Sequence, residues 1–137
     1  MGLKLAAISS MLVALPVSIW FATRPPQFPD IDVVNTHDFG IVDKGKVAVV
    51  NLPVRNLGNA PLKVEGISTS CGCTTAKLSS MVIPPGGEAN LRIEYDSNAH
   101  ESDKGALERY VFIASNDPKD SDLQVKFSVV VRVKKSN

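Results

Sequence analysis

Cys71 and Cys73 stand in the stretch "STSCGCTT", with a single glycine between them and hydroxylated residues on both sides. On an extended strand residues i and i+2 point to the same face, so both sulfurs can reach one object if Gly72 lets the backbone approach. Several chemistries are open to such a pair. The sulfurs can bond to each other in a very small ring, which makes an easily reduced disulfide and a weak staple. They can work as a redox or disulfide-exchange pair, since two thiols this close are hard to keep reduced in an oxidising compartment. They can also hold a soft metal such as Cu(I) or zinc, for which His37, His100 and Met81 are the remaining donor types, none at a recognisable ligand spacing. Beside these stands the plain structural reading, a strained disulfide or two packed thiols without chemistry. A thioredoxin-type oxidoreductase is not supported, because no Cys-x-x-Cys lies next to a βαβ pattern.

Other chemistry-bearing residues are sparse. His37 neighbours Asp38 and His100 neighbours Glu101, but solvated loop histidines far outnumber catalytic ones. No Ser-His-Asp order, paired carboxylates in a matching context, phosphate-cradling glycine loop or zinc spacing is present. The sequence therefore predicts no enzyme, no catalytic or cofactor-binding residue, no metal site and no small-molecule substrate.

The elements that must position the cysteines begin with the N-terminus. Residues 5–22, "LAAISSMLVALPVSIWFA", carry no charge, and about 18 residues at about 1.5 Å each approach the thickness of a bilayer's hydrocarbon core. Leu5 opens this run and Trp20, Phe21 and Ala22 close it. Trp20 and Phe21 before Ala22 make a poor signal-peptidase site, and no cysteine follows for lipidation, so an uncleaved anchor over residues 1–23 is expected, its aromatic residues at the interface. Pro16 within the run argues against a buried soluble helix. Residues 24–30, "RPPQFPD" after Thr23, read as a stiff, extended stalk. Lys4 and the α-amino group face Arg24 across the span. That thin bias places the N-terminus in the cytoplasm and the rest outside, which predicts a single-pass protein of the bacterial inner membrane with its body in the periplasm or beyond.

That body, residues 31–137, is expected to be one domain: the chain has 137 residues, 44% of them hydrophobic and 21% charged, ordinary globular values. A net charge of +1 excludes a field strong enough to imply nucleic acid. Period two governs the sequence beyond Asp30. Val50, Leu52 and Val54 share a face, as do Leu91, Ile93 and Tyr95. "LERYVFIAS" sets Tyr110, Phe112 and Ala114 against Val111 and Ile113, a strand covered on both sides. "LQVKFSVVVRV" turns Leu123, Val125, Phe127, Val129, Val131 and Val133 inward. Turn chemistry recurs at 43–45, 56–61, 84–87 and 116–118, residues 97–105 read as an exposed polar loop, and Arg132, Lys134 and Lys135 as a solubilising tail. Seven or so short strands fit an immunoglobulin-like antiparallel β-sandwich.

From Phe39 to the C-terminus the sequence resembles a bacterial family known as domain of unknown function fifteen-seventy-three. The landmarks are Phe39-Gly40, Asn56-x-Gly58-x-Ala60-Pro61-Leu62, Ser70-Cys71-Gly72-Cys73-Thr74, Pro84-Pro85-Gly86 and Ser115-Asn116-x-Pro118. The resemblance implies an immunoglobulin-like module of the major sperm protein type, often exported, with an adhesive or scaffolding habit; it supplies no catalytic mechanism. Pro53 departs from the pattern and predicts an edge or a bulge in its strand. The expected function is a non-catalytic, membrane-anchored interaction module, an accessory subunit of a membrane or envelope complex, whose contacts are the bilayer and its fellow subunits. The alternative is an extracytoplasmic thiol-disulfide or copper-handling protein that uses Cys71 and Cys73.

Overall fold

Alternation of period two becomes two facing sheets. The computed structural model describes Gly2 and residues 24–135. The expected anchor, with Leu5, Trp20, Phe21 and Ala22, lies outside the described residues. Among the described residues no helix is long and apolar enough to cross a membrane. The strands are β1 (Ile31–Val33), β2 (Thr36–Asp43), β3 (Val47–Asn56), β4 (Leu62–Thr69), β5 (Thr74–Leu78), β6 (Val82–Ile83), β7 (Glu88–Asp96), β8 (Gly105–Ser115) and β9 (Asp122–Arg132). One sheet has the order β1-β3-β7-β5, the other β2-β9-β8-β4-β6.

The inner faces meet in a core built from the alternating residues: Leu52 and Val54 of β3, Leu91, Ile93 and Tyr95 of β7, Val111 and Ile113 of β8, and Val125, Phe127, Val129 and Val131 of β9 are all buried. Phe127 sits at its centre, edge-on to Tyr95 with ring centroids 5.9 Å apart and to Phe39 at 5.2 Å, the offset geometry aromatic quadrupoles prefer.

Four expectations need correction. The sandwich is not wholly antiparallel, because β2 runs parallel to β9. The reason is a strand that changes sheets: β1 pairs antiparallel with β3, and after Val34 and Asn35 the same chain continues as β2 on the edge of the opposite sheet. Gly40, at φ +67°, lies where the β2 register shifts between Asp38 and Ile41, and its N–H is taken by Asp38 Oδ1 at 2.8 Å. Second, Tyr110 and Phe112 are half-buried, not covered; they stack on each other, centroids 6.4 Å apart, on the outer face. Third, Val133 is exposed, since it follows the last residue of β9. Fourth, the polar 97–105 loop is anchored rather than free: Ser97 and Asp103 are buried. Two of the basic C-terminal residues are also engaged, since Asp43 pairs with Arg132 Nε at 2.7 Å and Lys134 Nζ at 3.1 Å. Those two cations hold the Asp43 carboxyl at about 2.

The two ends of the sandwich differ. At the proximal end, where the chain comes in, lie the loops after β3, β6 and β8. Asn56 is fully buried there. Its Oδ1 accepts from Asp30 N at 3.2 Å and Gly58 N at 3.0 Å, and its Nδ2 donates to Ala60 O at 2.8 Å and Ile83 O at 3.0 Å. Phe28 N donates to Asn59 Oδ1, Leu57 N to Asp30 O, and Ile31 N to the buried carboxylate of Asp117 at 2.7 Å. Pro29 is buried against this loop. A Cβ on Gly58 would collide with the backbone of Phe28, Pro29 and Asp30, so only glycine lets the incoming segment lie this close. Burial raises the Asp117 pKa, but N–H donors from Ile31, Lys119 and Asp120 outweigh it and leave it lowered.

Candidate functional site

At the distal end, about 30 Å away by the length of β7, the chain crosses from one sheet to the other between β4 and β5. The cysteines occupy that crossing. Cys71 and Cys73 are joined in a disulfide with Cα atoms 5.2 Å apart. Cys73 is buried at 2% exposure, Cys71 is half-buried and Gly72 is exposed. The crossing is braced on both flanks by backbone bonds: Ser70 N to Tyr110 O at 2.9 Å on β8, and Asp96 N to Cys73 O at 2.8 Å on β7. Thr69 Oγ1 donates within the turn to Cys71 O at 2.9 Å and to Thr74 O at 3.2 Å. Thr74, itself buried, brings its Oγ1 to 3.4 Å from Cys71 Sγ and 3.6 Å from Cys73 Sγ.

The 97–104 loop is pinned at the same end. Tyr95 Oη donates to Asp103 Oδ2 and Arg109 Nη2 to Asp103 Oδ1, both at 2.9 Å, while Lys44 Nζ donates to the carbonyls of His100 and Asp103. A buried carboxylate with two charged or polar donors is a satisfied group. Burial, and then the Asp103 carboxylate, push the Tyr95 phenol up to about 12. The folded state therefore keeps a proton that the unfolded chain gives up near pH 10, and stability falls as pH rises from about 10 towards 12. Chemical denaturation across that range is expected to show a loss of about 2–3 kcal/mol that Tyr95→Phe abolishes; an unchanged alkaline slope in the variant would assign it to another group.

The other sequence-predicted donors lie on separate elements. His37 is on β2 rather than in a loop, its ring edge-on to Phe39 at 4.7 Å. His100 belongs to the 97–104 loop, and Met81 precedes β6 with its carbonyl accepting from Val64 N. Among the described residues no group of three or more His, Cys, Asp or Glu side chains converges as metal ligands. One shallow surface concavity among the described residues is lined by Thr75, Lys77, Arg92 and Glu94 on the outer face of the β1-β3-β7-β5 sheet.

A feature that the sequence signalled only through Pro53 is the outer edge of β3. Asn56 N donates to Gly87 O and Ser97 N to Lys46 O, which fixes the even-numbered residues of β3 as those bonded to β7 in the antiparallel ladder. The odd-numbered residues direct their N–H and C=O groups the other way. There β1 pairs only with Val54, Arg55 and Asn56. Among the described residues Val47, Val49 and Asn51 thus present an unpaired edge, with Val47 and Val49 55% and 42% exposed. Pro53, which lacks an N–H, falls on the same side, where its absence costs no ladder bond. Lys46 and Pro53 bound this uncharged stretch.

Two apposed sheets, with the chain passing from one to the other between β1 and β2, make this an immunoglobulin-type β-sandwich, and solved structures show the same fold. A protein of unknown function from Porphyromonas gingivalis W83 superposes with a TM-score of 0.71 at 23% identity, over 80% of this chain and 50% of that one. The chain therefore spans half the length of that protein. The ASH / PapD-like domain 7 of human CEP192 gives 0.59 at 11% identity over 96% of this chain and 100% of the other. The CARDB domain of PF1109 from Pyrococcus furiosus gives 0.53 at 19% over 77% and 97%. At these identities the likeness is one of fold alone. The chain belongs to the family described as "Protein of unknown function (DUF1573)", whose model matches residues 32–131. No curated protein matches the sequence.

Proposed function

We propose that this chain is a non-catalytic interaction module, tethered to the bacterial inner membrane by residues 5–22 and holding its sandwich outside the cytoplasm as an accessory subunit of a larger membrane or envelope complex. The observation that supports docking is the β3 edge. Its N–H and C=O groups at Val47, Val49 and Asn51, unpaired among the described residues, form a template for one more strand, and exposed β-edges of low charge pair readily unless something occupies them. The occupant this edge fits is an extended, apolar segment of a partner subunit. Backbone bonds would give it affinity, and alternate side chains on Val47 and Val49 would give it register. Lys46 and Pro53 confine that pairing to a short segment, which favours one specific strand over open-ended assembly.

The edge geometry supplies its own test. Val49→Pro removes a donor that faces away from β7, so the fold is expected to survive, while Val49→Lys places a charge on the edge. With the full chain purified gently from native membranes, both variants are expected to lose at least tenfold in recovered partner subunit while circular dichroism stays that of a β-protein. Undiminished recovery with both variants would overturn the edge as the docking site. Migration of the wild-type chain alone would overturn the subunit role itself.

A further inference from the structure

The docking reading leaves the disulfide without a purpose, and its surroundings argue against a mere staple. The covalent link spans Gly72 alone, so the chain entropy it removes is slight, and the crossing is already held by Ser70–Tyr110, Cys73–Asp96 and the Thr69 hydroxyl. None of those contacts uses a sulfur atom.

We propose that Cys71–Cys73 is a thiol–disulfide exchange site that accepts a partner's thiol, with Cys71 Sγ as the sulfur attacked and Cys73 Sγ as the sulfur that leaves. Access decides the direction, because exchange depends on which sulfur an incoming thiolate can reach. Cys73 is 2% exposed, whereas Cys71 is half-buried beside exposed Gly72, around whose missing Cβ there is open space. The incoming thiolate forms a bond to Cys71 Sγ. The Sγ–Sγ bond breaks, its electron pair goes to Cys73 Sγ, and the proton shed by the incoming thiol ends on Cys73. A second thiol of the same partner then attacks its own mixed-disulfide sulfur and expels Cys71 as a thiolate, which takes up that thiol's proton. The partner dithiol is thereby oxidised to a disulfide as the Cys71–Cys73 pair is reduced by two electrons to two thiols. Thr74 is the positioning residue: its Oγ1 lies 3.4 Å from Cys71 Sγ and 3.6 Å from Cys73 Sγ, and once Cys71 is held in the mixed disulfide its one proton turns to Cys73, where it meets the developing negative charge and offsets the burial that disfavours a thiolate there. The location suits the task, since the pair lies at the end of the sandwich opposite the incoming chain, where a partner's thiol can approach.

Reduced glutathione is the probe. The oxidised full chain is exposed to it briefly, the products are trapped with N-ethylmaleimide, and peptides are read by mass. Glutathione is expected on Cys71 and maleimide on Cys73, in at least tenfold excess over the reverse pattern. Circular dichroism should keep its β-signature throughout, and Thr74→Val should slow the reaction about fivefold, the worth of one hydrogen bond. Glutathione on Cys73 or spread evenly, reaction only in step with loss of the β-signature, or two free thiols in the protein as isolated would each overturn the proposal. Because the assignment uses the wild-type chain, it does not depend on whether single-cysteine variants fold, and it is read without reference to any β3-edge partner.

Discussion

Asn56→Ala is expected to lower the stability of the folded chain by about 3–5 kcal/mol, a large share of the 5–15 kcal/mol typical of a domain. The side chain is fully buried and satisfies Asp30 N, Gly58 N, Ala60 O and Ile83 O at once. Alanine leaves those donors and acceptors without a partner, and each buried orphan costs about 1–3 kcal/mol, reduced where water can enter. Asn56→Asp is not a remedy. It keeps the acceptor but sets a charged oxygen against the carbonyls of Ala60 and Ile83. Asn59→Ala, which removes only an exposed bond to Phe28 N, is expected to cost less than about 1 kcal/mol. Urea denaturation of the three variants against wild type checks the order; equal midpoints for Asn56→Ala and Asn59→Ala would show that the buried amide is not the hub.

Phe127→Ala is expected to cost about as much, 3–5 kcal/mol by the usual range for a fully buried phenylalanine, by a different route. Its ring touches both sheets through Tyr95 and the strand-switching segment through Phe39. Truncation empties the centre of the core and loosens β2 from the side. Phe127→Leu restores most of the volume and should recover more than half of the loss. Thermal unfolding gives the measurement: a fall of roughly 10 °C or more is expected for alanine at this domain size. A drop of only a few degrees would mean that the Tyr95 and Phe39 rings can close over the gap.

The strands with strict alternation were legible because burial on one face leaves its mark on every second residue. Leu91, Ile93 and Tyr95 are the clean case: all three are fully buried. β2 escaped the same reading because Gly40 and the register shift beside it interrupt the alternation, and because its parallel pairing joins residues some 90 positions apart, which no local pattern reports. Asn56 looked like ordinary turn composition, since its partner Asp30 lies 26 residues away and Ile83 27. At the cysteines the adjacency was visible and the asymmetry was not. That Cys73 is buried and Cys71 only half-buried follows from the crossing between sheets, a property of the assembled sandwich. The β3 edge was foreshadowed by Pro53 alone, because an open edge is defined by which strand fails to arrive.

The parallel β2–β9 pair has a mechanical consequence. The chain comes in at one end of the sandwich and β9, running beside β2 in the same direction, leaves at the other. Tension applied between the two termini therefore drags these strands past each other, loading the paired residues from Thr36–Lys126 to Asp43–Arg132 together instead of peeling them apart singly. A domain strung between a fixed point and a moving neighbour would resist being pulled open through this seam, and its lifetime under tension would be set by the rate at which the seam gives way.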